Sequence, residues 1–323
     1  MSETWSRDVD GVSLVGKDKR TKRGRNLNME ATQTAYTDGD TRRRARRGLA
    51  IYFAVLVVLT AAFQAVMIGT GLDGPLLLGL MWLPAIASVV ARLALKEGFS
   101  DVSFRFGERR GRNAVLQALI FPVVVGLVAY GIAWTSGLAG FDPPPISGGS
   151  VALFAVGVIV SLISVSGEEI GWRGYMLTRL IDSGVPRPVM VSGLIWGLWH
   201  APLVLAGFYA AGSSPVLSAA VLIIMTTSLG YVYARMRLET GSVWPAIALH
   251  MAWNSVIQEV FDVSTTGAGA PLWVGESGML TALVVVVAAV IYSRGRWTVI
   301  RTLPKRDKTP VHKAGVQAQP RVQ

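Results

Sequence analysis

The sequence predicts an all-α polytopic membrane protein of about eight transmembrane helices enclosing a buried polar site. Three observations carry this expectation. Only 16% of the residues are charged and 51% are hydrophobic, with a mean hydropathy of +0.46, whereas soluble domains carry roughly 25% charged residues. Apolar runs recur along the chain at about 17 to 25 residues, the length a hydrocarbon core requires. Lys and Arg segregate to alternate connections, as they do when cytosolic loops retain them.

In order, the spans are drawn at 49–69, 76–95, 114–134, 150–167, 189–209, 215–234, 243–262 and 278–293. No proline interrupts Glu168 to Leu180, and Ile170, Met176, Leu177 and Leu180 keep that stretch apolar, so the fourth helix continues past its hydrophobic part. The connections after spans one, three, five and seven contain no Lys or Arg. Those after two, four and six carry Lys96, Arg105, Arg109, Arg110 and Arg112, then Arg173, Arg179 and Arg187, then Arg235 and Arg237. With Arg92 at the inner end of span two, all 31 Lys and Arg fall on one side. This distribution predicts a multi-pass protein of the cell membrane with both termini cytosolic.

Three regions follow: a basic arm at 1–48, expected to be cytosolic and disordered, a transmembrane helical domain at 49–293, and a basic cytosolic tail at 294–323. The arm lacks the apolar h-region and small-residue cleavage site of a signal peptide. Its runs around Lys17–Arg25 and Arg42–Arg47, with those of the tail, account for the net charge of +11. Beside a span, attraction to the anionic lipid of the bilayer is a simpler reason for such runs than nucleic-acid binding, so no nucleic-acid partner is expected. A cysteine count of 0 excludes disulfides, thiolate metal sites and thiol nucleophiles. The two halves show no repeated broken helices, which counts against a transporter.

Three polar motifs interrupt the apolar helices: Glu168-Glu169-Ile-Gly-Trp-Arg173, Trp196-Gly-Leu-Trp-His200 and His250-Met-Ala-Trp-Asn254. Ionisable groups are costly in a membrane and are retained where they have a function. Glu169 and Arg173 stand four apart with the acid first, the favoured order for a helical ion pair. Glu168 lies about 100° round the helix, free to take a proton from water as a general base; the plainer alternative is a helix end with ordinary charges. His200 and His250 lie inside spans five and seven, whereas the third histidine, His312, is in the polar tail.

Asn254 is one turn beyond His250, so the two side chains face the same way and can converge on one oxygen, as an oxyanion hole needs. Counted at 1.5 Å per residue from Ser242, they lie about 10 Å and about 18 Å deep, within reach of the cytosol. Trp172, Trp196, Trp199 and Trp253 flank the motifs, as cavity walls or as ordinary packing. Gly193, Gly197 and Ala201 form a small-residue stripe suited to close helix packing. Ser166 and Ser192 have no base at helical spacing and are not read as nucleophiles. A base, a histidine able to help hold water and a His/Asn donor pair fit amide hydrolysis.

As an ordered set these motifs resemble the CPBP family of intramembrane proteases. That family includes the prenyl-protein (CAAX) type II endopeptidases and bacterial proteins linked to bacteriocin processing and self-immunity. The resemblance rests on Glu168, Glu169, Arg173, His200, His250 and Asn254 and covers roughly 150–262; Trp196 stands where the second motif often has Phe. It implies that Glu168 and His200 activate water, that His250 and Asn254 stabilise the oxyanion, and that Glu169 with Arg173 organises the site. The substrate would be a peptide or a membrane-anchored protein.

The family has been described both as metalloproteases and as glutamate-dependent. Zinc would take Glu168, His200 and His250, a permissible ligand set. The lack of a His-Glu-x-x-His motif, and the placing of His250 beside Asn254, favour a mechanism without a metal cofactor. A non-catalytic membrane scaffold or bacteriocin-immunity factor is the competing function.

Overall fold

The computed structural model describes residues 18–71, 74–210, 212, 214–295 and 297. Its helices begin with α1 (Asp18–Thr70), α2 (Gly74–Leu95) and α3 (Glu108–Thr135), followed by α4 (Gly148–Gly171). A π-helical turn, Trp172–Met176, joins α4 to α5 (Leu177–Asp182) without a break, so the fourth apolar run does continue as one helix over Gly148–Asp182. Then come α6 (Pro188–Leu205), α7 (Pro215–Thr240) and α8 (Trp244–Trp253), which runs on as a π-helix over Asn254–Asp262. The short α9 (Ala270–Trp273) and α10 (Met279–Ser293) complete the described chain.

Proline at the first turn starts α6, α7 and α8, where its missing N–H costs nothing. A reciprocal Ser147–Ser150 capping box starts α4. Among the described residues six helical stretches are long and apolar enough to cross a membrane, by length and composition. The seventh drawn span is the α8 and π-helix pair, and the eighth is the 15-residue α10. Val57, Leu93, Leu127, Leu153 and Ile163 lie exposed on the outer surface. Apolar exposure on this scale fits lipid as the surrounding solvent.

Helix α1 starts at Asp18, so residues 18–48, read by composition as a disordered arm, are helical. That stretch has no proline and is rich in Arg, a good helix former. Residues 1–17 of the arm, and most of the tail at 294–323, lie outside the described residues.

Bare backbone brings the site helices together. A side chain at Gly171 would collide with Pro84, and one at Gly167 would stand 2.8 Å from the Met81 carbonyl oxygen, so α4 lies directly on α2. Likewise Gly193 and Gly197 seat α6 on Thr227, Thr226 and Ile223 of α7, the close approach expected of that stripe. Helix α8 lies between α3 and α4.

The two ends of the bundle differ. At one end the 96–107 connection folds inward and presents Asp101 to three arginines from different helices. Arg92 pairs with the Asp101 carboxylate and donates to the carbonyls of Gly98 at 2.9 Å and Gly174 at 3.0 Å. Arg179 pairs with Asp101 at 2.7 Å and with Glu97 at 2.8 Å. Arg237 donates to the backbone oxygens of Asp101 at 2.7 Å and Arg173 at 3.2 Å. Positive charges that composition assigned only to topology are thus structural: Arg92, Arg179 and Arg237 are 1%, 5% and 1% exposed. At the other end, Gly140–Phe141 pairs antiparallel with Thr265–Thr266 and fixes the α3–α4 connection to the segment after the π-helix.

Candidate active site

Glu168 and Glu169 close the regular part of α4, one residue pair before the π turn, and both are buried. In that turn the Leu177 N–H bonds the Trp172 carbonyl, five residues back. Such π bulges are frequent at functional sites. The Glu168 Oε2 accepts two indole N–H groups, from Trp172 at 3.1 Å and Trp196 at 3.0 Å. Trp196 comes from α6, so the second motif reaches the first through this bond.

Glu169 Oε1 accepts from Arg173 Nη1 at 2.8 Å, the ion pair its spacing predicts. The same oxygen lies 2.9 Å from His250 Nδ1 of α8, a link the sequence does not announce. The Arg173 guanidinium is sandwiched between the rings of Trp196 and Tyr233, 4.3 Å and 4.1 Å from their centroids. That arrangement suits a planar cation desolvated among aromatics. Glu169 Oε2 and Arg173 Nη2 are buried with no hydrogen-bond partner among the described residues.

His200 is half-buried, with Nδ1 2.9 Å from the Trp196 carbonyl oxygen. A carbonyl only accepts, so Nδ1 carries the proton and Nε2 of the neutral ring presents a lone pair. Behind it stacks Tyr209, ring centroids 5.4 Å apart. Asn254 opens the π-helix; its N–H bonds the His250 carbonyl and its side-chain oxygen accepts a long 3.5 Å contact from Gln258.

The first motif, His250 and Trp196 therefore form one connected cluster, with His200 against its aromatic wall and Asn254 one turn beyond His250. Of the tryptophans, Trp172 and Trp196 bond Glu168, Trp199 donates to Thr60 at 3.0 Å, and Trp253 donates to Glu276 at 2.8 Å. Tyr233, Tyr209 and Glu276 have no place in the motif reading. Tyr233 is one apolar-face residue among many in α7, and nothing in its spacing marks it. Glu276 carried a usable signal: it is an isolated acid between apolar runs, and it is buried.

Helices of membrane length around ionisable groups in hydrolytic company define a class, the intramembrane peptide hydrolases. Residues 150–256 match the family model for Type II CAAX prenyl endopeptidase Rce1-like, and this part of the chain is a domain of that CAAX-protease kind. The matched segment holds all six motif residues and leaves α1 to α3 and α10 outside. No curated protein matches the chain.

The zinc alternative can be tested on donor geometry. His200 and His250 each commit Nδ1 to a protein acceptor, the usual outer contact of a metal-binding imidazole, and keep Nε2; Glu168 commits one oxygen to two indoles and keeps the other. Among the described residues no three His, Asp or Glu side chains come together as a metal-binding group.

Proposed function

We propose that the protein is an endopeptidase cleaving a peptide or membrane-tethered substrate near the cytosolic face, with water activated by Glu168. The observation that supports this most directly is the pair of indole bonds to a single oxygen of the buried Glu168 carboxylate. They hold the group while leaving Oε1 for water.

In this reading Oε1 takes a proton as the water oxygen attacks the scissile carbonyl carbon, and the carbonyl electron pair moves onto oxygen. The lone pair on His200 Nε2 accepts from the same water and orients it. His250 Nε2–H and the Asn254 amide donate to the oxyanion. For His250 to donate from both nitrogens its ring must be doubly protonated. Two carboxylates and one guanidinium leave the cluster one negative charge in excess, which an imidazolium balances. Collapse of the intermediate breaks the C–N bond, the amine leaves with the proton held by Glu168, and the carboxylate is regenerated.

Hydrolysis of a peptide library by purified protein in detergent should be unchanged after exhaustive chelation and dialysis, beside a metalloprotease control that loses activity. Loss with chelation and stoichiometric restoration by zinc would overturn the metal-free mechanism.

The cytosolic assignment rests on the basic connections and has its own check. A reporter fused after Gly107 should read as cytosolic and one after Ser147 as external. The reverse pattern would turn the site to the other face.

A further inference from the structure

The end of the bundle opposite the Asp101 arginine cluster contains a cavity of about 580 Å³. It lies where α6 stops and α7 begins, and its lining includes Tyr209, Gln258, Asp262, Ala270, Glu276 and Ser277. Its volume falls in the range of about 300–1,000 Å³ typical of ligand sites.

Two carboxylates face it, and neither pairs with a cation among the described residues. Glu276 accepts from the Trp253 indole at 2.8 Å and from the Tyr209 hydroxyl. Asp262 accepts from the Tyr130 hydroxyl, which itself receives the Gly275 N–H at 3.0 Å. All these donors are neutral, and no residue lining the cavity is basic. Among the described residues none at this end supplies a positive charge: the connections 71–75, 136–147, 206–214 and 263–278 contain no Lys or Arg. A second observation points to a missing ligand. Ser277, 6% exposed, belongs to the lining, and its buried hydroxyl has no hydrogen-bond partner among the described residues.

We propose that this cavity binds the cationic side chain, ammonium or guanidinium, of a peptide. Uncompensated carboxylates in a low-dielectric recess attract such a group strongly, and the second oxygen of Asp262 is left to accept from it. A divalent metal suits the place less well. Three of the four carboxylate oxygens already hold a donor, and no third metal-ligating side chain joins them. The cavity also communicates with the catalytic candidates: Tyr209 is its wall on one side and the stacking partner of His200 on the other. As a substrate subsite this rests on the protease reading; as a binding site it does not.

The test uses two fluorescein-labelled short peptides, identical except for a single Arg replaced in one by the neutral isostere citrulline. Binding is followed by anisotropy on the full chain in detergent, in Glu168→Gln protein so that peptide is not consumed. The Arg peptide should bind at least about tenfold tighter, with the preference weakening in salt. Asp262→Asn and Glu276→Gln keep volume and hydrogen-bonding atoms, and together they should erase that preference; Ser277→Leu, which fills the recess, should do the same. Equal affinity for the two peptides in the parent protein overturns the proposal, as does a preference surviving in the Asp262→Asn/Glu276→Gln protein. Cleavage is scored separately with Glu168 intact. Preferential binding without cleavage would remove the protease reading and leave the site, whereas cleavage without preferential binding would do the opposite.

Discussion

Purified Glu168→Gln protein is expected to lose peptide hydrolysis by about 10⁴-fold, the upper end of what general-base catalysis supplies. Its melting behaviour should stay that of the parent. Glutamine keeps the side-chain volume and an oxygen for the Trp172 and Trp196 indoles, so the loss reads out proton transfer rather than packing. His200→Ala and His250→Ala should also abolish turnover. Asn254→Ala should retain activity reduced by about a hundredfold to a thousandfold, the usual cost of one oxyanion donor. Single-turnover rates on one peptide, measured across the four variants, give this ranking. Near-parental turnover in Glu168→Gln protein would sink the proposed mechanism.

Asp101→Ala is expected to cost the most stability of any single change outside the site, about 3–5 kcal/mol. The substitution leaves the buried Arg92 without its carboxylate and Arg179 with Glu97 at 2.8 Å and the more distant Asp182 at 3.8 Å. Removing one member of a buried charge cluster leaves the remaining charges desolvated and unpaid, which is why the penalty exceeds that of an exposed pair. Thermal unfolding in one detergent, with Asp40→Ala as comparison, measures it. Asp40 pairs with Arg43 at the surface, and its loss should cost below about 1 kcal/mol. Equal melting temperatures for the two variants would show that the arginine cluster does not hold the helix ends.

Much of this architecture is legible in the sequence because lipid imposes long apolar runs, and long runs are hard to miss. The Glu169–Arg173 pair is legible for a similar reason: helical spacing alone brings them together. The bond from His250 to Glu169 is not, since it joins residues 81 positions apart and depends on how α8 settles between α3 and α4. Nor are the burials of Arg92, Arg179 and Arg237. Near a span end an arginine in a loop and one folded inward on a carboxylate have the same one-letter context. Tyr209 escapes because the drawn fifth span runs to it as one more apolar residue, whereas α6 stops at Leu205, and Glu276 because the burial of an isolated acid is decided by the packing of other elements. The π turns escape as well, because nothing in the composition of Trp172–Met176 or Asn254–Asp262 separates them from ordinary helix.

The first of those turns has a consequence for descent. It takes up one residue more than regular winding would within a single turn, so the segment after it keeps the register of an unbroken helix one residue shorter. Deletion of one codon among Gly174, Tyr175 and Met176 would let that turn close to regular helix while Arg179 still faces Glu97 and Asp101. A deletion in regular helix has no such slack and turns all that follows by about 100°. A lineage can therefore gain or lose a codon at this turn while keeping both the letters and the contacts on either side of it.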